Sequence, residues 1–348
     1  SQYQSGLVSG ELSSRGLDAA IDSNRQVATE LTELVGAIFH SMFGGSPIMI
    51  NIGFQTIAFV GIVVLLRQLD PRKRGWVFGL MMLPSFALWS SVAGKEAIVV
   101  FAMGIIGAAI VRLYDHRRVI TVGLVAALSI IYLFRDHFLP AILFILVGTY
   151  LSFYARQRAF LALMGGVFSA ALLYLLRDRV DTMAFAILPH FSIRDGVLTR
   201  DPYWIEKYDV FTKAPYGMFQ SFFGPTIGEA LIGPLQLLSF AESAVLVLVL
   251  VVLVLRGLRS LPVYSLIMAA STTFWILFAT YPLGIMNSGT AIRYRTGYLM
   301  LIFVVVAFLL SRETFIRWSA RTYQREGKTR QAPGDGMPSD SGTRVLPG

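Results

Sequence analysis

The chain has 348 residues, 55% of them hydrophobic and 15% charged, with a formal net charge of +9. Soluble domains carry about 25% charged residues; this balance, with apolar runs recurring along the chain, excludes an ordinary soluble enzyme and implies an all-α, polytopic membrane protein. The absence of cysteine excludes a disulfide framework, a thiolate metal site and a cysteine nucleophile.

The four histidines, His40, His116, His137 and His190, are scattered and form no HExxH pair. No phosphate-binding glycine loop and no internal repeat is visible in the sequence. Neither a metal nor a cofactor is therefore expected.

Residues 1–47 begin without Met, and the first 45 contain no apolar run long enough for a signal peptide or a span. The start reads as processed or truncated, with an earlier transmembrane helix expected upstream. Leu17, Ile21, Val27, Leu31, Leu34, Val35 and Ile38 recur at helical spacing. With its acidic balance, the segment reads as an amphipathic helix on the extracytoplasmic face.

Residues 48–176 hold six candidate spans, at 48–66, 76–92, 97–113, 119–134, 138–154 and 159–176. Three more follow in residues 243–311, at 243–258, 261–281 and 297–311, giving about nine. Residues 177–242 between these groups read as a large outer loop, and residues 312–348 as a basic cytoplasmic tail, disordered toward its end.

Lys and Arg placement orients the spans. "RQLDPRKRG" after the first span, "RLYDHRR" after the third, "ARQR" after the fifth, "RGLR" after the seventh and the tail after the ninth are all basic. Every second boundary thus belongs to the cytoplasm, and the N-terminus and the acidic loops lie outside. The basic residues are spread over loops, not gathered on one soluble face, so nucleic acid is not an expected partner.

The outer face keeps three short charged connections. Lys95 and Glu96 lie between the second and third spans, Arg135, Asp136 and His137 between the fourth and fifth, and Asn287, Arg293 and Arg295 before the ninth. Charges at the membrane boundary cost a few kcal/mol unless paired. Each cluster alone can be an interfacial ion pair, a helix end or a snorkelling side chain. Arg293 and Arg295 share a face if extended and splay about 200° apart if helical. Positive-inside bias disfavours arginine here, which makes these two stand out.

The outer loop is polar and aromatic around Tyr203, Trp204 and Tyr208. Such rings suit stacking against sugars and suit an interfacial belt, the reading favoured here. Its last part, "MFQSFFGPTIGEALIGPLQLLSFAES", is apolar but broken by Gly224-Pro225, Gly228 and Gly233-Pro234, as in an interfacial or re-entrant helix. A full crossing there would break the charge alternation downstream.

Several strings resemble those of a known family. "LPSFALWSSVAGKEAIVVF" carries Pro-Ser, Trp-Ser and Lys-Glu in the order of a signature of Wzy-type polysaccharide repeat-unit polymerases and related GT-C-type membrane glycosyltransferases. "FRDHFLPAILF" is similar to the arginine-containing start of their fifth span. "NSGTAIRYRTGYLM" resembles their late element before the final helix, and "FFGPTIGEAL" with "LLSFAES" the segment after their large outer loop. The likeness spans roughly residues 40–310. The early Ser-Asp element that many relatives carry on the first outer loop is absent, and its helix would precede Ser1.

The resemblance implies glycosyl transfer from an undecaprenyl-pyrophosphate-linked sugar on the periplasmic face of the bacterial inner membrane, in O-antigen or exopolysaccharide synthesis. The implied partners are a lipid-linked sugar donor, a glycan acceptor, membrane lipid and other polysaccharide-assembly proteins. Arginine forks suit diphosphate oxygens and need no metal. On this reading Arg293 and Arg295 bind the diphosphate, with Lys95, Arg135, His137 and Asn287 in support. Glu96 is the first candidate for general base and Asp136 the second. Competing readings are a transporter or flippase of a lipid-linked glycan and a non-catalytic accessory subunit of an envelope complex.

Overall fold

The computed structural model describes residues 26–114, 120–154, 158–192, 200, 203–260 and 263–309. Regular structure among the described residues is helical throughout, with no strand. The tail from 311 onward and the basic residues Arg117, Arg118 and Arg156 lie outside the described residues, as do Leu17 and Ile21 of the expected N-terminal helix.

Helix α1 covers residues 26–42 and ends in a turn whose glycines, Gly44 and Gly45, have positive φ. Phe39 packs edge-on against Phe54 at 5.6 Å, in space left by Gly53, where a Cβ would lie 2.6 Å from the ring. Leu34, Ile38 and Met42 remain exposed, so α1 carries apolar groups on two sides.

Helix α2 (Pro47–Gln68) opens with proline at its first turn, where the missing N–H costs nothing. The expected single span over 76–92 is instead two short helices, α3 (Pro71–Met81) and α4 (Pro84–Ser91). Pro84 cannot donate to the preceding turn, and it holds Leu83 in extended geometry, with ψ 131°.

Helix α5 (Lys95–Tyr114) is the centre of the bundle. Its apolar window is 83% buried, against 22% to 39% for the other long apolar helices. It packs on α2, on α6 (Val122–Arg135) and on the last helix. Glycine makes the α2 contact close: a Cβ on Gly104 would collide with the Gly61 carbonyl, and one on Gly61 with the Phe101 backbone.

The apolar stretch Val122–Leu151 is interrupted once. Arg135 leaves helical geometry at φ −154°, ψ 60°, and a single 3-10 turn, Asp136–Phe138, leads into α7 (Leu139–Tyr154). Helix α8 (Arg158–Leu175) continues almost directly into α9 (Arg177–Ser192), because Leu176 and Val180 keep backbone bonds to the turn before.

The segment read from sequence as a large outer loop is largely helical where it is described. It contains α9, then the short α10 (Asp209–Thr212), α11 (Ala214–Phe223) and α12 (Ile227–Ala230). Helix α13 (Pro234–Ser260) starts well before the expected 243. At 27 residues it is about 40 Å long, more than a bilayer core needs. Helix α14 (Val263–Gly284) receives α11 on small residues, with Gly217 against the Tyr281 ring and Gly284 against Ser221. Ser221 donates to the Thr280 carbonyl at 3.0 Å. The apolar α11 is thus packed closely against α14.

The last helix, α15 (Ser288–Leu309), begins inside "NSGTAIRYR", nine residues before the expected 297. Asn287 explains the early start: its side chain accepts the Thr290 N–H at 2.9 Å and caps the first turn.

Among the described residues, five helical stretches are long and apolar enough to cross a membrane: Pro47–Gln68, Lys95–Leu113, Val122–Leu151, Pro234–Val252 and Leu266–Gly284. Their outward faces carry exposed large apolar side chains, such as Ile52 and Phe59 on α2 and Leu248 and Leu255 on α13. A surface of this kind is consistent with lipid contact and with a membrane protein.

Candidate functional site

The start of α5, the end of α6 and the first turns of α15 meet at one end of the bundle, and they bring Glu96, Arg135 and Arg293 together. Arg293 meets Glu96 side-on, with Nε 2.6 Å from Oε1 and Nη2 2.9 Å from Oε2. Arg135 donates its Nη2 to the same Oε1 at 2.5 Å and its Nη1 to the Tyr294 hydroxyl at 3.1 Å. Its guanidinium also lies 4.2 Å from the centre of the Tyr294 ring. Arg293 in turn faces the Trp89 ring of α4 at 5.5 Å.

Two guanidiniums on one carboxylate leave the cluster with excess positive charge. The Glu96 side chain is 9% exposed and that of Arg135 11%, whereas Arg293 is 42% exposed. Arg293 is therefore the group that can meet a ligand without rearrangement. Both Glu96 oxygens are engaged, so its geometry is that of a residue orienting two cations.

Arg295 does not belong to this cluster. Because the segment is helical, it points away from Arg293 and is completely buried. Its Nη1 donates to the Ser243 hydroxyl at 2.5 Å and the Phe222 carbonyl at 3.3 Å. Its Nη2 donates to the Ser85 hydroxyl at 3.2 Å and Glu242 Oε2 at 3.5 Å, while Nε has no hydrogen-bond partner. Glu242 also accepts the Ser85 N–H at 2.7 Å, at the start of α4. This buried network ties α4, α11, α13 and α15 together, where the sequence had suggested a second surface ligand.

The remaining expected residues spread around the first cluster. Lys95 donates to the Thr29 hydroxyl of α1 at 2.8 Å. Asp136 accepts the His137 N–H at 2.8 Å, with the His137 ring nitrogen at 3.4 Å. The His137 ring lies edge-on to Tyr294 at 5.7 Å, next to Arg135's partner. Asn287 is the cap of α15.

In the aromatic run of residues 203–208, Trp204 is buried and presents no face for stacking. That ring is 2% exposed, and its Nε1 donates to the Tyr281 hydroxyl of α14 at 2.7 Å. Tyr203 packs against the same apolar cluster and donates to the Lys213 carbonyl, while the Tyr208 hydroxyl donates to Asp178 and its ring faces Lys207. Asp209 organises this turn, accepting from Lys213 at 2.7 Å and from the Ile205 and Glu206 N–H groups. Lys213 first, then those N–H groups, hold the Asp209 carboxyl well below the usual carboxylate range.

Sequence reading missed a second ion pair, which is partly buried. Arg200 grips Glu229 of α12 with Nε at 2.5 Å and Nη2 at 3.0 Å. Thr226 and Glu229 form a reciprocal capping box, a TxxE pattern legible in "GPTIGEA". Burial opposes ionisation of Glu229, but Arg200 and the Thr226 N–H outweigh it and hold the carboxyl below its ordinary value. Trp89, Tyr294 and Glu242 were missed as well. Glu242 alone had a signal, a lone acid at the head of an apolar run.

No group of three or more acidic or histidine side chains could hold a metal ion among the described residues. Comparison of the chain with protein families, curated proteins and solved structures finds no match.

Proposed function

We propose that the protein is a membrane glycosyltransferase of the polysaccharide-polymerase type. It acts on an undecaprenyl-pyrophosphate-linked sugar at the periplasmic face of the bacterial inner membrane. The observation that carries this reading is the Glu96–Arg135–Arg293 cluster, a cationic site with one half-exposed guanidinium at the shared end of three helices. A lipid diphosphate supplies negative charge at that depth, and an arginine fork accepts it bidentately.

In the proposed step an acceptor hydroxyl attacks the anomeric carbon of the donor sugar. The bond from that carbon to the diphosphate oxygen breaks, and the diphosphate leaves with the electron pair. Arg293 and Arg135 stabilise its growing charge. Asp136, whose side chain is 46% exposed, takes the hydroxyl proton. Glu96, the first candidate from sequence, instead sets the two arginines. The nine-span count, the outside N-terminus and the cytoplasmic tail rest on the alternation of basic segments.

A transporter or flippase of a lipid-linked glycan is the second reading. It is favoured by the Arg295–Glu242 pair inside the bundle, since ionisable groups there commonly mark a pathway. The two readings separate in reconstituted vesicles supplied with donor lipid. Chain extension supports transfer, and movement of unmodified lipid between leaflets supports transport. Arg293→Ala and Arg135→Ala should abolish extension in protein that remains folded. Full-length polymer from both variants would sink the active-site proposal.

A further inference from the structure

The second ion pair lies beside the turn that launches α15. Arg200 donates its backbone N–H to the Met286 carbonyl at 2.8 Å. Its Nη1 donates to the Gly284 and Ile285 carbonyls, each at 3.0 Å. These carbonyls end α14, where backbone acceptors lack helical partners and a cation is favoured. The next residue, Asn287, caps α15, and Arg293 follows less than two turns later.

Glu229 fixes the other side of the same guanidinium with both oxygens. Glu229 is itself held by the Thr226 N–H at 2.6 Å. Gly224 gives the guanidinium its space: a Cβ there would lie 2.8 Å from Arg200 Nη2. Side-chain exposures of 11% and 19% set this pair apart from a solvated surface bridge. The long connection between α9 and α10, the α11–α12 corner and the α14–α15 turn are therefore fastened at one arginine.

We infer that Arg200 is a positioning residue for Arg293, because its clamp on Glu229 and on the 284–286 carbonyls fixes the start of the helix that carries Arg293. This rests on the reading of Arg293 as the diphosphate ligand. Arg200 touches no substrate in this role. It sets the first turns of α15, so that the Arg293 fork stands on Glu96 with its free edge outward.

A double-mutant cycle on the full-length protein in nanodiscs tests this, with undecaprenyl pyrophosphate as the probe and its Kd as the readout. Arg293→Ala and Arg200→Gln should each weaken binding about tenfold or more, and the double variant should be no weaker than Arg293→Ala alone. Losses that multiply would show Arg200 acting independently and overturn the inference. Unchanged binding by Arg200→Gln would overturn it too. Wild-type binding by Arg293→Ala would remove the diphosphate reading itself, and the inference with it. Should Arg200→Gln not fold, Glu229→Gln keeps the shape of the clamp without its charge and takes its place in the same cycle, with the same criteria.

Discussion

Arg293 and Arg295 stand two residues apart on α15 and hold different carboxylates: Arg293 grips Glu96 of α5, and Arg295 lies against Glu242 of α13. The helical start at Ser288 sends them in opposite directions, one to a half-exposed site and one to the interior. Their substitutions should therefore separate function from stability. Arg295→Ala leaves Glu242 as an uncompensated buried charge and should cost about 3–5 kcal/mol. Arg293→Ala should cost little stability and most of the lipid-diphosphate affinity. Thermal unfolding in detergent, run beside a binding titration, reads both. Equal thermal losses in the two variants would contradict the division.

The Arg295 network offers a second, opposite check. Replacing both charges, as Arg295→Met with Glu242→Leu, removes the unpaired ion that either single change leaves behind. The double variant should recover much of the stability lost by Arg295→Ala, because buried ion pairs are often matched by apolar residues of similar volume. Unfolding midpoints of the single and double variants decide it. If the double variant is as unstable as the sum of its parts, the pair is held by the hydroxyls of Ser85 and Ser243 more than by its own attraction.

Much of the bundle was legible in the sequence, because an apolar run of span length has few other uses. Charge alternation grouped Glu96, Arg135 and Arg293 on one face of the expected bundle, and the structure brings these three together. Their pairing was not legible, since Glu96 and Arg293 are far apart in the chain and partner choice depends on how α5 and α15 pack. The start of α15 was missed because Arg293 and Arg295 lower the local hydropathy, although Asn287 followed by Ser288 and Thr290 already has a capping pattern. The break at Pro84 was hidden for the converse reason: hydropathy averages over proline. Trp204 shows a further limit. Composition alone cannot tell an indole that meets ligand from one that donates to a buried Tyr281 hydroxyl.

Acid should loosen the corner around α10 and α12 in a definite window. Glu229 and Asp209 both have folded-state values below their ordinary 4.5 and 3.8. Each therefore contributes stability that is fully present above its ordinary value and is lost as pH falls through the depressed one. Unfolding temperature should be flat from neutral pH to about pH 5 and fall below that, more gently for Glu229→Gln. An identical acid slope in wild type and Glu229→Gln would mean that Glu229 contributes nothing to it.

Close helix contact at glycine makes a steric prediction. A Cβ at Gly104 collides with the Gly61 carbonyl, and the obstacle is backbone, which cannot turn aside as a side chain can. Gly104→Ala should cost about 1–3 kcal/mol by overpacking. At Gly79, on α3, a Cβ would meet nothing within 4 Å, so Gly79→Ala should be neutral or slightly stabilising. Parallel thermal unfolding of the two variants gives the comparison. A neutral Gly104→Ala would show that α2 and α5 can separate without loss.

The proposed orientation can be tested with few changes, because the chain has no cysteine to remove. Leu231, beside α12, is 80% exposed, and Lys73 lies in the first basic segment. In spheroplasts a membrane-impermeant maleimide should label Leu231→Cys directly, and Lys73→Cys only after the membrane is opened. The physical basis of the proposal is the cost of carrying Arg67, Arg72, Lys73 and Arg74 across the bilayer during insertion, which opposes an external position for that boundary. Direct labelling of Lys73→Cys with protection of Leu231→Cys would invert the topology. It would place the Glu96–Arg135–Arg293 cluster on the cytoplasmic side, away from any periplasmic glycan.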